Sequence, residues 1–289
     1  MARCNVCFRH CSIEDGGLGF CGARTNSGGQ IRAANYGKIT SLALDPVEKK
    51  PLARFYPGSL ILSAGSYGCN LRCPFCQNHE ISWSKEAMRY GRENGRAEEI
   101  SPQELAEIAR RYRGRGNIGI AFTYNEPLIG YEYVRDTAKL VYEAGMKTVL
   151  VTNGTAQLPV LEELKPYVDA MNIDLKGFTD RYYSEVLQGS RQMVMEFIAE
   201  AVKCCHVEIT TLIVPGENDT EDEMDALSSW VASLQGGPGR QSGEEIPLHV
   251  SRFFPRFHMQ GVRATDVDLV YRLAQRARRH LKYVYTGNC

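Results

Sequence analysis

From Ser59 to the C-terminus, short apolar stretches alternate with longer stretches of helical period. The apolar stretches predict strands over 59–65, 118–124, 147–152, 168–175, 206–214 and 247–254. The stretches between and after them predict helices over 101–113, 130–144, 157–165, 190–204, 219–234 and 265–281. Ser101 followed by Pro102 reads as a cap and first turn. Six β-then-α units in order predict a parallel sheet with right-handed crossovers, in an open doubly wound sheet or a full or partial barrel. The strands themselves favour the barrel. Successive strand residues point to opposite faces. Asn172, Asp174 and Lys176 oppose Ile173 and Leu175; Glu208 and Thr210 oppose Val207 and Ile209; His249 and Ser251 oppose Leu248 and Val250. The apolar sets belong under helices, so the polar sets face an interior. Burying them dry is costly, and an interior that holds a polar cofactor resolves the cost. An open sheet with one solvated face is the alternative. The fold expected is α/β: a partial (β/α)6 TIM-like barrel over 59–289, preceded over 1–58 by a small, irregular, Gly-rich lobe with turn signals DGG and SGG.

Composition narrows the function. The 289 residues include 34 Lys+Arg and 34 Asp+Glu, a net charge of zero, which argues against a nucleic-acid binder with a broad basic surface. At 43% hydrophobic residues, a core is expected rather than disorder. No apolar run reaches the roughly 18 residues of a membrane span, and MARCNVCFRH lacks the apolar centre of a signal peptide. A cytoplasmic protein is expected. Disulfides are rare there, so the ten cysteines need another role.

Seven of them fall in two groups. Cys69, Cys73 and Cys76 follow the first strand of the repeating pattern, on a loop at the strand-end face where α/β folds place their sites. Structural zinc usually has four ligands; a [4Fe–4S] cubane on three cysteines keeps one iron open for substrate or cofactor. Cys4, Cys7, Cys11 and Cys21 supply four thiolates, enough for a structural zinc or a second iron–sulfur cluster, and their spacing does not decide between the two. Of the rest, one of Cys204 and Cys205 is expected to pack in the core, and Cys289 is the last residue. Of Tyr124, Tyr131 and Tyr133, two are expected in the core and one in a pocket. Arg252 fits an anionic ligand or a structural ion pair equally well.

The run CNLRCPFC resembles the C-x3-C-x2-C signature of the radical SAM superfamily, including aromatic Phe75 before the third cysteine. The resemblance implies that Cys69, Cys73 and Cys76 hold a [4Fe–4S] cluster whose open iron chelates S-adenosylmethionine. One-electron reduction then gives methionine and a 5′-deoxyadenosyl radical that abstracts hydrogen from a substrate. It also implies contacts to that cofactor. TYNEP resembles the Gly-Gly-Glu motif, without its glycines, so Asn125 and Glu126 would meet the amino group. NIDLK resembles an Asp-Leu-Lys motif, with Lys176 and Asp174 on the carboxylate side. Phe75 would lie against the adenine. VTNG, VPG and HVSRFFP add Thr152 and Asn153, Pro215, and His249 and Ser251.

Across nearly the whole chain, DPVEKKPL, FYPG, SYGCNLRCPFCQN, FTYNEP, NIDLKGF and YTGN are similar to the radical SAM enzymes of the AmmeMemoRadiSam system. That implies Memo-type and AMMECR-type partner proteins; reductive cleavage of S-adenosylmethionine implies a one-electron donor such as a flavodoxin or ferredoxin, and the charge balance and apolar runs already lead to the expectation of no nucleic acid and no membrane. It also implies a tail with a further cysteine pair after YTGN, where this chain stops at Cys289. Two other readings stand beside it. One is an activating enzyme of a glycyl-radical enzyme, although Val151 stands where activators carry an Asp beside a monovalent cation. The other is a non-catalytic iron–sulfur or zinc scaffold.

Overall fold

The computed structural model describes residues 1–82 and 97–289. Its centre is an eight-stranded sheet: β1 (Ser41–Pro46), β2 (Leu60–Gly65), β3 (Asn117–Phe122), β4 (Lys147–Thr152), β5 (Ala170–Asp174), β6 (His206–Ile213), β7 (Leu248–Arg252) and β8 (Val284–Gly287). The strands lie side by side in chain order, β2 to β8 all parallel and β1 antiparallel to β2. All six expected strands are present. The six expected β/α units are all present, and one further parallel strand, β8, extends the sheet; at four residues it is too short for periodicity to register. The sheet also reaches back past residue 58, since β1 pairs along its whole length with β2.

Six helices cover the outside: α1 (Pro102–Arg111), α2 (Tyr131–Glu143), α3 (Leu158–Leu164), α4 (Arg191–Ala201), α5 (Glu221–Ala232) and α6 (Val267–Ala277). Local chemistry fixes their starts. The Ser101 hydroxyl accepts from the Glu104 N–H, and the Glu104 carboxylate accepts from the Ser101 N–H at 2.8 Å, a reciprocal capping box. Thr220 caps α5 and Asp266 caps α6. Met171, Ile173, Val207, Ile209, Leu248 and Val250 are buried under these helices, as alternation requires. Among the described residues no helix is long and apolar enough to cross a membrane.

The polar faces do point inward, but they divide into two levels. The upper level, Asp174, Lys176, Thr210 and Ser251, faces an open cavity. The lower level is filled by the chain itself. Asn172 donates to the Pro51 carbonyl at 2.8 Å and accepts from Thr210 at 3.0 Å. Glu208 accepts from the backbone N–H groups of Ala53 (2.9 Å) and Arg54 (2.8 Å), and lies 3.0 Å from His206 Nε2 and 2.6 Å from His249 Nε2. Burial alone would push its carboxyl up; the two histidines and the Arg54 N–H outweigh that and hold its pKa at about 2. Buried Lys50 donates to Asp45 at 2.9 Å beside the Tyr124 phenol, which donates to Asp45 at 2.8 Å. Only half of the polar interior therefore needs a ligand. Residues 50–54 floor the rest.

The N-terminal residues form two small antiparallel pairs, Ala2–Arg3 with Ser12–Ile13 and Arg24–Ser27 with Gln30–Ala33. They dock on the barrel rim. The Gln157 N–H donates to the Val6 carbonyl at 2.9 Å, and the Phe20 ring lies between the guanidinium groups of Arg9 (3.4 Å) and Arg72 (4.0 Å).

Candidate active site

Seven parallel strands end around one cavity of about 290 Å³, lined by residues of the loops after β2, β3, β4, β5 and β8 and by residues within β6 and β7. The loop after β2 carries three thiols. It is tightly held. Asn125 accepts from the Ser66 N–H at 2.9 Å and donates to the Tyr67 and Gly68 carbonyls at 3.1 and 3.2 Å. Gly68 has φ +92°, and a Cβ there would lie 2.8 Å from both the Ala23 Cβ and the Cys21 carbonyl oxygen, so only glycine fits. Cys69, Cys73 and Cys76 then line the cavity together. Burial pushes the Cys69 thiol up, with further help from Glu126, and raises Cys73 to about 11 although Lys176 opposes it. Such thiols become thiolates against a positive centre. Three thiols lining one cavity, with no fourth cysteine among its lining residues, are a donor set that would suit a cluster with one open iron.

The loop after β3 carries Glu126, 2% exposed. Its carboxylate accepts from the Thr152 hydroxyl (2.6 Å), the Asn153 N–H (2.7 Å) and the Leu128 N–H (3.0 Å). Burial raises its pKa to about 7 against these three donors. With three of roughly four acceptor positions filled, it can take about one more donor from a ligand. Thr152 serves Glu126, and Asn153 reaches Cys69 Sγ at 3.7 Å. After β5, Lys176 pairs with Asp174 at 2.7 Å. Burial would lower the Lys176 pKa, but Asp174 and Cys73 raise it further, so the ammonium is retained.

Of the residues named from the sequence, Cys69, Cys73, Cys76, Phe75, Asn125, Glu126, Thr152, Asn153, Asp174, Lys176 and Ser251 line this cavity. Two do not. His249 sits one level below, against Glu208, and half-buried Pro215 lies off the lining. The reason for His249 is the floor at 50–54. Phe75 is buried and meets Phe253 edge-on at 6.3 Å. Tyr124 is the pocket tyrosine of the three; Tyr133 is buried and Tyr131 half-buried. Arg252 donates to the Thr265 carbonyl at 2.7 Å and takes the structural role. Cys205 is buried and Cys204 half-buried. Gln77, Asn78 and Asn288, which stand within the motifs CQN and YTGN, also line the cavity although spacing alone did not mark them. Thr210 lines it on the inward face that the strand pleat assigns it. Tyr124 holds φ +72°, a strained conformation for a non-glycine residue that no sequence signal marks.

The model of the radical SAM superfamily matches residues 64–228. An uncharacterized protein of Methanocaldococcus jannaschii, MJ0808, is 40% identical over 99% of this chain and 81% of its own length. The pyruvate formate-lyase 1-activating enzyme of Escherichia coli is 27% identical over 58% of this chain and 66% of its own. Among solved structures, Streptococcus suis SuiB bound to S-adenosylmethionine superposes with a TM-score of 0.56 at 14% identity, over 77% of this chain and 48% of that one. This last likeness is one of fold.

Proposed function

The chain belongs to the radical SAM superfamily, and from that premise we propose that the strand-end cavity is where it reductively cleaves S-adenosylmethionine. Enzymes are among its relatives, it is itself an enzyme, and its family implies a [4Fe–4S] cluster with S-adenosylmethionine. When bound, that pair supplies one-electron cleavage of the sulfonium and hydrogen abstraction from a substrate. The observation that carries the reading is the joint lining of one cavity by three thiols, a buried carboxylate and a lysine–aspartate pair. In this proposal Cys69, Cys73 and Cys76 hold three irons. The free acceptor position of Glu126 takes an N–H of the amino group. Lys176, kept charged by Asp174, faces the carboxylate. Phe75 and Ser251 bound the remaining volume. Asn125, which lines the cavity with its side chain committed to the loop backbone, is assigned a positioning role. Anaerobic reconstitution with iron and sulfide, followed by addition of dithionite and S-adenosylmethionine, tests this. Wild type is expected to form 5′-deoxyadenosine; Cys69→Ala is expected to lose about four irons per chain and all product. Iron retained at wild-type level in Cys69→Ala would remove the central assignment.

The finer reading, an AmmeMemoRadiSam-type enzyme of the cytoplasm with Memo-type and AMMECR-type partners and a flavodoxin or ferredoxin as donor, rests on whole-chain motif similarity. Co-purification of tagged protein with both partner types supports it. A second reading, activation of a glycyl-radical enzyme, is favoured by the activating enzymes among the relatives. Against it stands Val151, whose alkyl side chain lines the cavity and offers no oxygen to a cation. It predicts a glycyl radical by EPR on mixing with a partner enzyme.

A further inference from the structure

Cys4, Cys7 and Cys21 are buried and Cys11 is half-buried around a separate void of about 10 Å³, which leaves no room for a cubane. Cys69 is differently provided for. Its sulfur faces two N–H groups, the backbone N–H of Leu71 at 3.4 Å and the side-chain Nδ2 of Asn153 at 3.7 Å. The first comes with the turn of the thiol loop. The second is held in place by a buried network. The Asn153 Oδ1 accepts from the Thr155 N–H at 3.0 Å and from the Thr155 hydroxyl at 2.6 Å. A carboxamide oxygen has two lone pairs, and both are taken. The Nδ2 has two protons. One goes to Asn70 Oδ1 at 3.0 Å, and the other is left for Cys69. Asn70 is fixed in its turn, its Nδ2 donating to the Thr155 carbonyl at 3.0 Å and hydroxyl at 2.8 Å. All three side chains are buried.

This network also fixes which end of the amide meets the sulfur. Turning Asn153 over would set acceptor against acceptor at Asn70 and donor against donor at the Thr155 N–H. With both lone pairs and both protons engaged, Asn153 has nothing to offer a ligand, although it lines the cavity. Its remaining chemistry is directed at Cys69. Hydrogen bonds to ligand sulfurs are among the factors that set the potential of an iron–sulfur centre. One-electron reduction adds a negative charge, and an N–H with its positive end on a ligand sulfur stabilises that state more than the oxidised one. Burial strengthens the effect. We propose that Asn153, locked by Asn70 and Thr155, is a positioning residue whose N–H donates to the Cys69 thiolate and raises the reduction potential of the [4Fe–4S] cluster on the three-thiol loop. The electron comes from the one-electron donor protein, or from dithionite in vitro; Asn153 transfers nothing, and no bond breaks. The inference rests on the proposed function, and the test separates the two.

Asn153→Leu keeps the size of the side chain and removes the N–H; Asn153→Asp puts a carboxylate oxygen in its place. Reconstituted wild type and both variants are poised with dithionite over a series of potentials and read by EPR, with iron counted on the same samples. Iron is expected to match wild type in both. At a fixed solution potential, the ratio of reduced to oxidised cluster in Asn153→Leu is expected to fall about tenfold, a shift of about 59 mV for a one-electron couple, and further in Asn153→Asp. An unchanged midpoint in iron-replete Asn153→Leu overturns the inference and leaves the proposed function standing. So does weaker binding of S-adenosylmethionine with an unchanged midpoint, which would make Asn153 a direct cofactor contact. Iron unchanged in Cys69→Ala overturns the proposed function instead. Wild type gives a readout that needs no variant. With asparagine labelled at its side-chain amide by the heavy nitrogen isotope, pulsed EPR of the reduced protein is expected to show coupling to that nitrogen; no coupling overturns the hydrogen bond to Cys69.

Discussion

Glu126 and Glu208 are both buried glutamates, yet their carboxyls are shifted in opposite directions. Glu126 receives three neutral donors and lies near the Asp174 carboxylate, so burial wins and its pKa rises to about 7. Glu208 has two histidines and two backbone N–H groups, and is held at about 2. Because the folded value for Glu208 lies below its ordinary 4.5, its carboxylate contributes stability that is complete above about pH 4.5 and is lost as pH falls towards 2. The contribution at pH 7 is on the order of 3 kcal/mol. Denaturant midpoints should show Glu208→Gln destabilised by about that much at pH 7, with the gap to wild type closing below pH 4; a constant gap would mean that ionisation is not the cause. Lys176→Met should weaken binding of S-adenosylmethionine to reconstituted protein about tenfold, or about 1.4 kcal/mol, with iron content unchanged. Equilibrium dialysis measures it, and undiminished affinity would take Lys176 out of the cofactor site.

At the scale of elements, legibility followed periodicity. Strands β2 to β7 and the six helices were readable because each carries an apolar repeat and most helices also carry a cap. The site was readable because its residues cluster at strand ends. Strand β8 and the floor at 50–54 were not, because four residues and an irregular KPLAR stretch have no period. The consequence fell on His249: alternation gave its face correctly but could not say at which level of the barrel it stands. Two elements give tests. Ser101→Ala removes the capping box of α1 and should cost about 1 kcal/mol in a denaturant melt, with 5′-deoxyadenosine formation unaffected, since α1 contributes nothing to the cavity lining. Gly68→Ala should lower iron incorporation severely, because the new methyl group meets Ala23 and Cys21 at 2.8 Å and must displace the thiol loop. Full iron loading in that variant would show the loop to be less constrained than its contacts imply.

For the whole molecule, the division at residue 58 expected from the sequence is not a line along which the chain should come apart. Strand β1, the Asp45–Lys50 pair and the backbone donors to Glu208 all precede it. A chain beginning at Ser59 would leave the Glu208 carboxylate buried with half its donors gone, a defect of several kcal/mol. It should show no cooperative thermal transition by calorimetry, whereas a chain that keeps residues 36–289 should show one. Equal melting of both would mean that the floor adds little.

The floor has a kinetic meaning as well. With residues 50–54 filling the lower level beneath Asp174 and Lys176, the chamber is closed at its bottom among the described residues. Entry and departure are then both expected at the strand-end face. When two molecules share a well with one mouth, they queue: the deeper is first in and last out. Turnover should then follow a compulsory order, visible as product inhibition that is competitive against one reactant and noncompetitive against the other.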